Sequence, residues 1–125
     1  MRTILGVVTI SNAALFFFGA AQHIGLRLGR FHEPTIIPAA IVETTCGLFL
    51  VCGGIVILGH FSSRWNIALI GNLVALGGVL LGMVALAAGR GPRTASNDFY
   101  HRTMLVLICA SLLILFFAKS ALQRS

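Results

Sequence analysis

Four long apolar runs constrain this chain more than any motif: about Ile4 to Leu28, Ile36 to Leu58, Trp65 to Ala88 and Met104 to Ala118. A helix needs about 20 apolar residues to cross the hydrocarbon core of a bilayer. The first three runs exceed that length, and the fourth reaches it if His101 to Thr103 supply its first turn. Backbone amides in lipid must bond within their own segment, so continuous runs of this length cross as helices; membrane-barrel strands are alternating segments of about 10 residues. The expected fold is all-α, a polytopic membrane protein forming one four-transmembrane-helix bundle, with helices over about 4–28, 36–58, 65–88 and 101–118.

Composition agrees with lipid as the main solvent. Hydrophobic residues make up 58% of the chain and charged residues 10%, against about 25% charged in a soluble domain. The formal charge of +6 does not indicate nucleic acid, which needs basic residues gathered on one face. Here Arg2, Arg27, Arg30, Arg64, Arg90, Arg93, Arg102, Lys119 and Arg124 fall singly at the edges of apolar runs, where cations anchor helices to head groups. The expected surroundings are a lipid bilayer, the expected location a bacterial-type cell membrane crossed several times. Four cations on one side against five on the other leave the orientation open.

Arg2, the following apolar run and Gly19-Ala20-Ala21 have the outline of a signal peptide. The run continues past the small residues, so a first membrane span is the reading adopted. Cys46, Cys52 and Cys109 lie inside apolar stretches without metal-ligand or CxxC spacing, and are expected to be small buried residues rather than metal ligands. Gly25-Leu-Arg-Leu-Gly29 and Gly78-Val-Leu-Leu-Gly82 have the small-xxx-small spacing that lets helices approach closely.

Threading the helices up and down gathers the polar residues at one end. Gln22 and His23 close the first helix; Arg27, Arg30, His32 and Glu33 follow in the first loop; Asn97, Asp98, Tyr100, His101 and Arg102 lie at the start of the fourth helix. Glu43 is the sharpest single residue. It follows Pro38 by five positions, which places it about 10 Å below the start of the second helix, inside the hydrocarbon. A carboxylate there costs several kcal/mol unless neutral, paired or near water, so Glu43 should face the bundle interior. By depth and side its partners come from His23, Gln22, His101 and Arg102, with Asp98 and Tyr100 as further contributors to a ligand-binding or proton-relay site. Capping and an interfacial aromatic belt account for part of the Asn97 to Thr103 segment. His23 and His101 are the one histidine pair at a depth suited to haem b, but His101 begins a helix beside Tyr100 and Arg102, which disfavours it.

Phe18-Gly19-Ala20-Ala21-Gln22-His23, a short polar loop ending near Pro34, and Val42-Glu43-Thr44-Thr45-Cys46-Gly47 resemble the DoxX-like family of small four-helix membrane proteins. Residue by residue the resemblance rests on Gly19, His23, Glu43 and Gly47 and covers about the first half of the chain; Asn97 to Thr103 does not match it. It implies a membrane subunit associated with quinone-linked oxidation of sulfur compounds or with oxidative-stress assemblies, and so a quinone as the ligand.

Three readings follow. The first is a DoxX-like, redox-associated protein holding a quinone or similar small amphiphile around Glu43 and His23, in a pocket opening toward the first and third loops. The second is a non-catalytic accessory subunit, in contact with other membrane subunits or with its own copies. The third is a small proton-coupled transporter, from which the sequence departs because its acid is in the second helix and the first has none. Soluble-enzyme chemistry has no support: no phosphate-binding glycine loop and no nucleophile–base–acid arrangement occurs.

Overall fold

A computed structural model describes residues 1–27, 33–59, 61 and 63–123. Helix α1 covers Arg2–His23, α2 Ile37–Leu58, α3 Arg64–Ala87 and α4 Ala95–Phe117, with a short α5 at Lys119–Gln123. The first four are each long and apolar enough to cross a membrane, and at about 1.5 Å per residue each spans more than the hydrocarbon thickness. The protein is thus an all-α, multi-pass membrane protein in contact with the bilayer.

Two boundaries differ from those read from hydropathy, each for a local reason. Helix α1 ends at His23 rather than near Leu28, because Gly25 takes φ +91°, a conformation glycine adopts without steric cost. The Gly25 amide then donates to the Gln22 carbonyl and the Leu26 amide to the Ala21 carbonyl, the paired bonds of a Schellman stop. Gly89, at φ +70°, ends α3 in the same way, with Gly89 donating to Leu86 and Arg90 to Ala85. Helix α4 starts at Ala95, earlier than the expected residue 101. Its cap is Thr94, whose hydroxyl accepts from the Asn97 amide at 3.1 Å, so the polar stretch Ser96 to Asp98 is the helix's first turn at the membrane interface.

Helix α1 packs along α2, α2 along α3 and α3 along α4, and α4 returns more loosely against α1. The interior has two apolar clusters. Ala13, Phe16, Cys46, Leu50, Ala75, Val79, Met104 and Ile108 fill the half containing the end of α1. Leu5, Ile57, Ala68, Leu115, Ala118 and Leu122 fill the other.

Between the clusters lies a buried polar layer: Thr9 and Asn12 from α1, Asn72 from α3 and Ser111 from α4. Asn12 Nδ2 donates to Ser111 Oγ at 3.0 Å, a bond between the first and last spans. Thr9 and Asn72 donate back to the Leu5 and Ala68 carbonyls of their own helices.

Glycines set the closest approaches. A Cβ at Gly71 would stand 2.7 Å from the Phe49 carbonyl oxygen of α2, and one at Gly53 would stand 3.3 Å from the Ala68 Cα. Of the two small-xxx-small pairs, Gly78 and Gly82 do face neighbours, Cys46 and His101 respectively. Gly25 serves the helix stop instead, and Gly29 lies outside the described residues. The cysteines divide, against the expectation that all three are interior: Cys46 is buried, whereas Cys52 and Cys109 are exposed on the outer surface.

Candidate functional site

The site is built around Glu43, one and a half turns into α2 and 6% exposed. Its carboxyl reaches α1 at Gly19, where a Cβ would stand 2.8 Å from Glu43 Oε1 and 2.6 Å from the Tyr100 hydroxyl. The missing side chain at Gly19 is therefore the notch in which an acid from α2 and a phenol from α4 meet. The Tyr100 hydroxyl donates to the Leu15 carbonyl at 3.4 Å.

One turn after Gly19, His23 is 3% exposed. Its Nε2 stands 3.8 Å from Glu43 Oε1, and its Nδ1 contacts the Pro34 carbonyl at 3.5 Å. A carbonyl only accepts, so Nδ1 carries hydrogen and Nε2 is the nitrogen presented to the acid. Carboxylic acid with imidazole, or carboxylate with imidazolium, both carry one proton on the two side chains together and no net charge, and at 3.8 Å the two groups are in electrostatic contact rather than hydrogen-bonded. A neutral pair is what a low-dielectric interior tolerates. Glu43 Oε2 is buried without a hydrogen-bond partner among the described residues.

His101 packs edge to face against Tyr100, ring centroids 5.4 Å apart. Its Nδ1 donates to the Asn97 carbonyl at 2.9 Å, which leaves Nε2 as the free nitrogen, turned toward Gly82 of α3. Gln22 is buried on the α1 side beside His23. The other two sequence-derived candidates stand apart. Asp98 pairs with Arg93 at 3.3 Å on the loop surface, and Arg102 is exposed on the outer face of α4. Arg30 and His32, noted for their polarity in the sequence, lie outside the described residues.

Glu33 belongs to the site's rim and was not among the site candidates. It is 4% exposed, and both its carboxylate oxygens accept from the Thr94 hydroxyl at 2.9 Å. The Ser96 hydroxyl donates to it as well. The carboxylate thus sits at the amino end of α4, where the helix dipole favours negative charge. Beside it, the Ile36 amide donates to the His23 carbonyl at 2.9 Å. Residues 33–36 are in this way fastened to the ends of both α1 and α4.

Two cavities lie at this end of the bundle, and Glu43 lines the second of them. One, about 200 Å³, lies between α1 and α4 and is lined by Phe18, Gln22, His23, Glu33 and Tyr100 among others. The second, about 360 Å³, lies between α2 and α3 and is lined by Pro38, Val42, Glu43, Gly82, Arg90 and His101 among others. Glu43, His101 and the exposed loop residue Arg90 are the polar and charged side chains in the second cavity's lining. Among the described residues, no group of three His, Cys, Asp or Glu side chains has the geometry of a metal site.

The chain matches no family model, no curated protein and no solved structure. What the fold and site define is a four-helix membrane protein with a paired intramembrane acid that lines one of two neighbouring cavities.

Proposed function

We propose that this protein is a DoxX-like, redox-associated membrane protein that holds the polar head of a quinone or similar small amphiphile beside Glu43. One observation carries the reading: an acid only 6% exposed, within the membrane span, has a carboxyl oxygen without a partner among the described residues and lines a cavity of about 360 Å³. Ligand sites of this kind are mostly apolar with a few placed polar groups. Here Glu43 and His101 are those groups, and apolar residues of α2 and α3 supply the remaining walls. The four positions on which the DoxX-like resemblance rests also support it. Gly19, His23 and Glu43 meet at one point, and Gly47 makes room for the Phe17 ring.

In this role Glu43 and His23 keep a proton available next to the bound head, and Tyr100 and His101 orient the groups around it. The test is to purify the protein in mild detergent, extract what accompanies it, and measure saturable binding of a short-tailed quinone. Glu43→Gln should weaken that binding by about tenfold, the effect of one buried hydrogen-bonding group. Absence of saturable binding of the oxidised and reduced forms alike refutes the reading.

A further inference from the structure

We infer that the cavity between α1 and α4 is a second site, separate from the one between α2 and α3, and that it holds the quaternary ammonium head of a cationic amphiphile.

The charge on the cavity wall is the first ground. Glu33 is 4% exposed and lines the cavity. Its carboxylate accepts from Thr94 and Ser96 at the amino end of α4, contacts that stabilise a negative charge without cancelling it. Among the described residues, no Lys or Arg lines the cavity, and no ion pair joins Glu33 to a cation. Arg93, the residue before Thr94, is turned to Asp98 at 3.3 Å on the loop surface. His23 is the one lining side chain able to become positive, and its ring nitrogens face Glu43 and the Pro34 carbonyl. A buried carboxylate without a counter-charge is costly. A cation in the cavity relieves that cost through space and needs no vacant lone pair on the carboxylate.

The remaining lining selects the kind of cation. Phe18, Phe99 and Tyr100 border the same space, and aromatic rings attract a quaternary ammonium, which has no hydrogen-bond donors to satisfy. An anionic head would meet the charge of Glu33, and a neutral head would leave it uncompensated. A cavity of about 150 Å³ takes a benzene molecule, so one of about 200 Å³ has room for a trimethylammonium group and the first carbons of its chain. Glu33 precedes α2 and Ser96 is in the first turn of α4, which sets the head at the membrane interface. Phe99 is 71% exposed and forms the outer edge of the cavity. The chain then leaves for the lipid between α1 and α4, the more loosely packed pair of neighbouring spans.

The experiment compares, on the wild-type protein in a non-ionic detergent, hexyltrimethylammonium with its neutral isostere, in which carbon replaces nitrogen. Binding is read by the shift in melting temperature and by native mass spectrometry, with the partition of each compound into protein-free micelles measured alongside. The ammonium should bind about tenfold tighter than the isostere. Glu33→Gln should shrink that ratio severalfold, and Phe99→Leu, at an exposed position, should weaken the ammonium about threefold. Asp98→Asn removes a negative charge from the same end but outside the cavity lining, and should leave the ratio unchanged. Equal affinity of ion and isostere, or no saturable binding of either, overturns the inference. An equal fall with Asp98→Asn and Glu33→Gln overturns it too, because the attraction then belongs to the whole surface. The wild-type comparison and Phe99→Leu decide the matter even if Glu33→Gln does not fold.

Discussion

His23 and Glu43 lie on neighbouring helices with Nε2 and Oε1 3.8 Å apart, and each is less than a tenth exposed. The pair is a unit: the imidazole has its other nitrogen against the Pro34 carbonyl, and so has one face left for the acid.

Breaking that unit from either side should have unequal consequences. His23→Leu strands the buried carboxyl and is expected to cost about 1–3 kcal/mol. Glu43→Leu removes the acid together with its unpartnered oxygen, and should leave stability unchanged or raised while abolishing quinone binding. The double variant should be more stable than His23→Leu alone. Thermal unfolding in detergent followed by circular dichroism checks the order, and a Glu43→Leu protein less stable than His23→Leu contradicts it.

Three glycine-to-alanine changes should rank by what the new methyl meets. At Gly71 it stands 2.7 Å from a backbone oxygen of α2, so whole helices must separate, at an expected cost of about 1–3 kcal/mol. At Gly19 it meets the Glu43 carboxyl and the Tyr100 hydroxyl, flexible groups that can move; the loss of stability should be smaller and the loss of ligand binding larger. At Gly77 nothing lies within 4 Å, and the change should be neutral or stabilising by about 0.5–1 kcal/mol. Melting temperatures of the three proteins, with binding measured on each, give the comparison.

The Thr94 hydroxyl both caps α4 and donates to Glu33. Thr94→Ala should therefore cost about 1–2 kcal/mol, at the upper end for a cap, and should loosen two segments far apart in sequence. Hydrogen exchange is expected to speed up in the first turn of α4 and in residues 33–36 together. Faster exchange in α4 alone means that Glu33 is held by something else.

Asn12 and Ser111 tie the first span to the last at 3.0 Å. In membrane bundles such bonds couple by about 0.6 kcal/mol on average, and up to about 1.7 kcal/mol. A double-mutant cycle with Asn12→Leu and Ser111→Ala should fall in that range. A coupling of zero refutes the interhelical bond.

The sequence made the four spans legible because hydropathy over some twenty residues is a strong signal. Their ends were not, since Gly25 stops α1 inside a stretch that is still apolar, and the first turn of α4 is polar because it lies at the interface. Depth and side sufficed to bring Glu43, His23, Tyr100 and His101 to one end. They could not tell Arg102 from its neighbour: a helix apolar on nearly every side carries little pattern to say which face turns inward. That is also why Cys52 and Cys109 were misplaced. Glu33 was placed at the same end by its loop, but nothing local pointed to its partners Thr94 and Ser96, more than sixty residues away.

The apolar cluster and polar layer beyond Glu43 have a consequence for traffic. Phe16, Leu50, Met104 and Ile108 are each at most 2% exposed, and they stopper the bundle between the carboxyl and the opposite leaflet. In this conformation the packed side chains close the bundle on that side of the carboxyl.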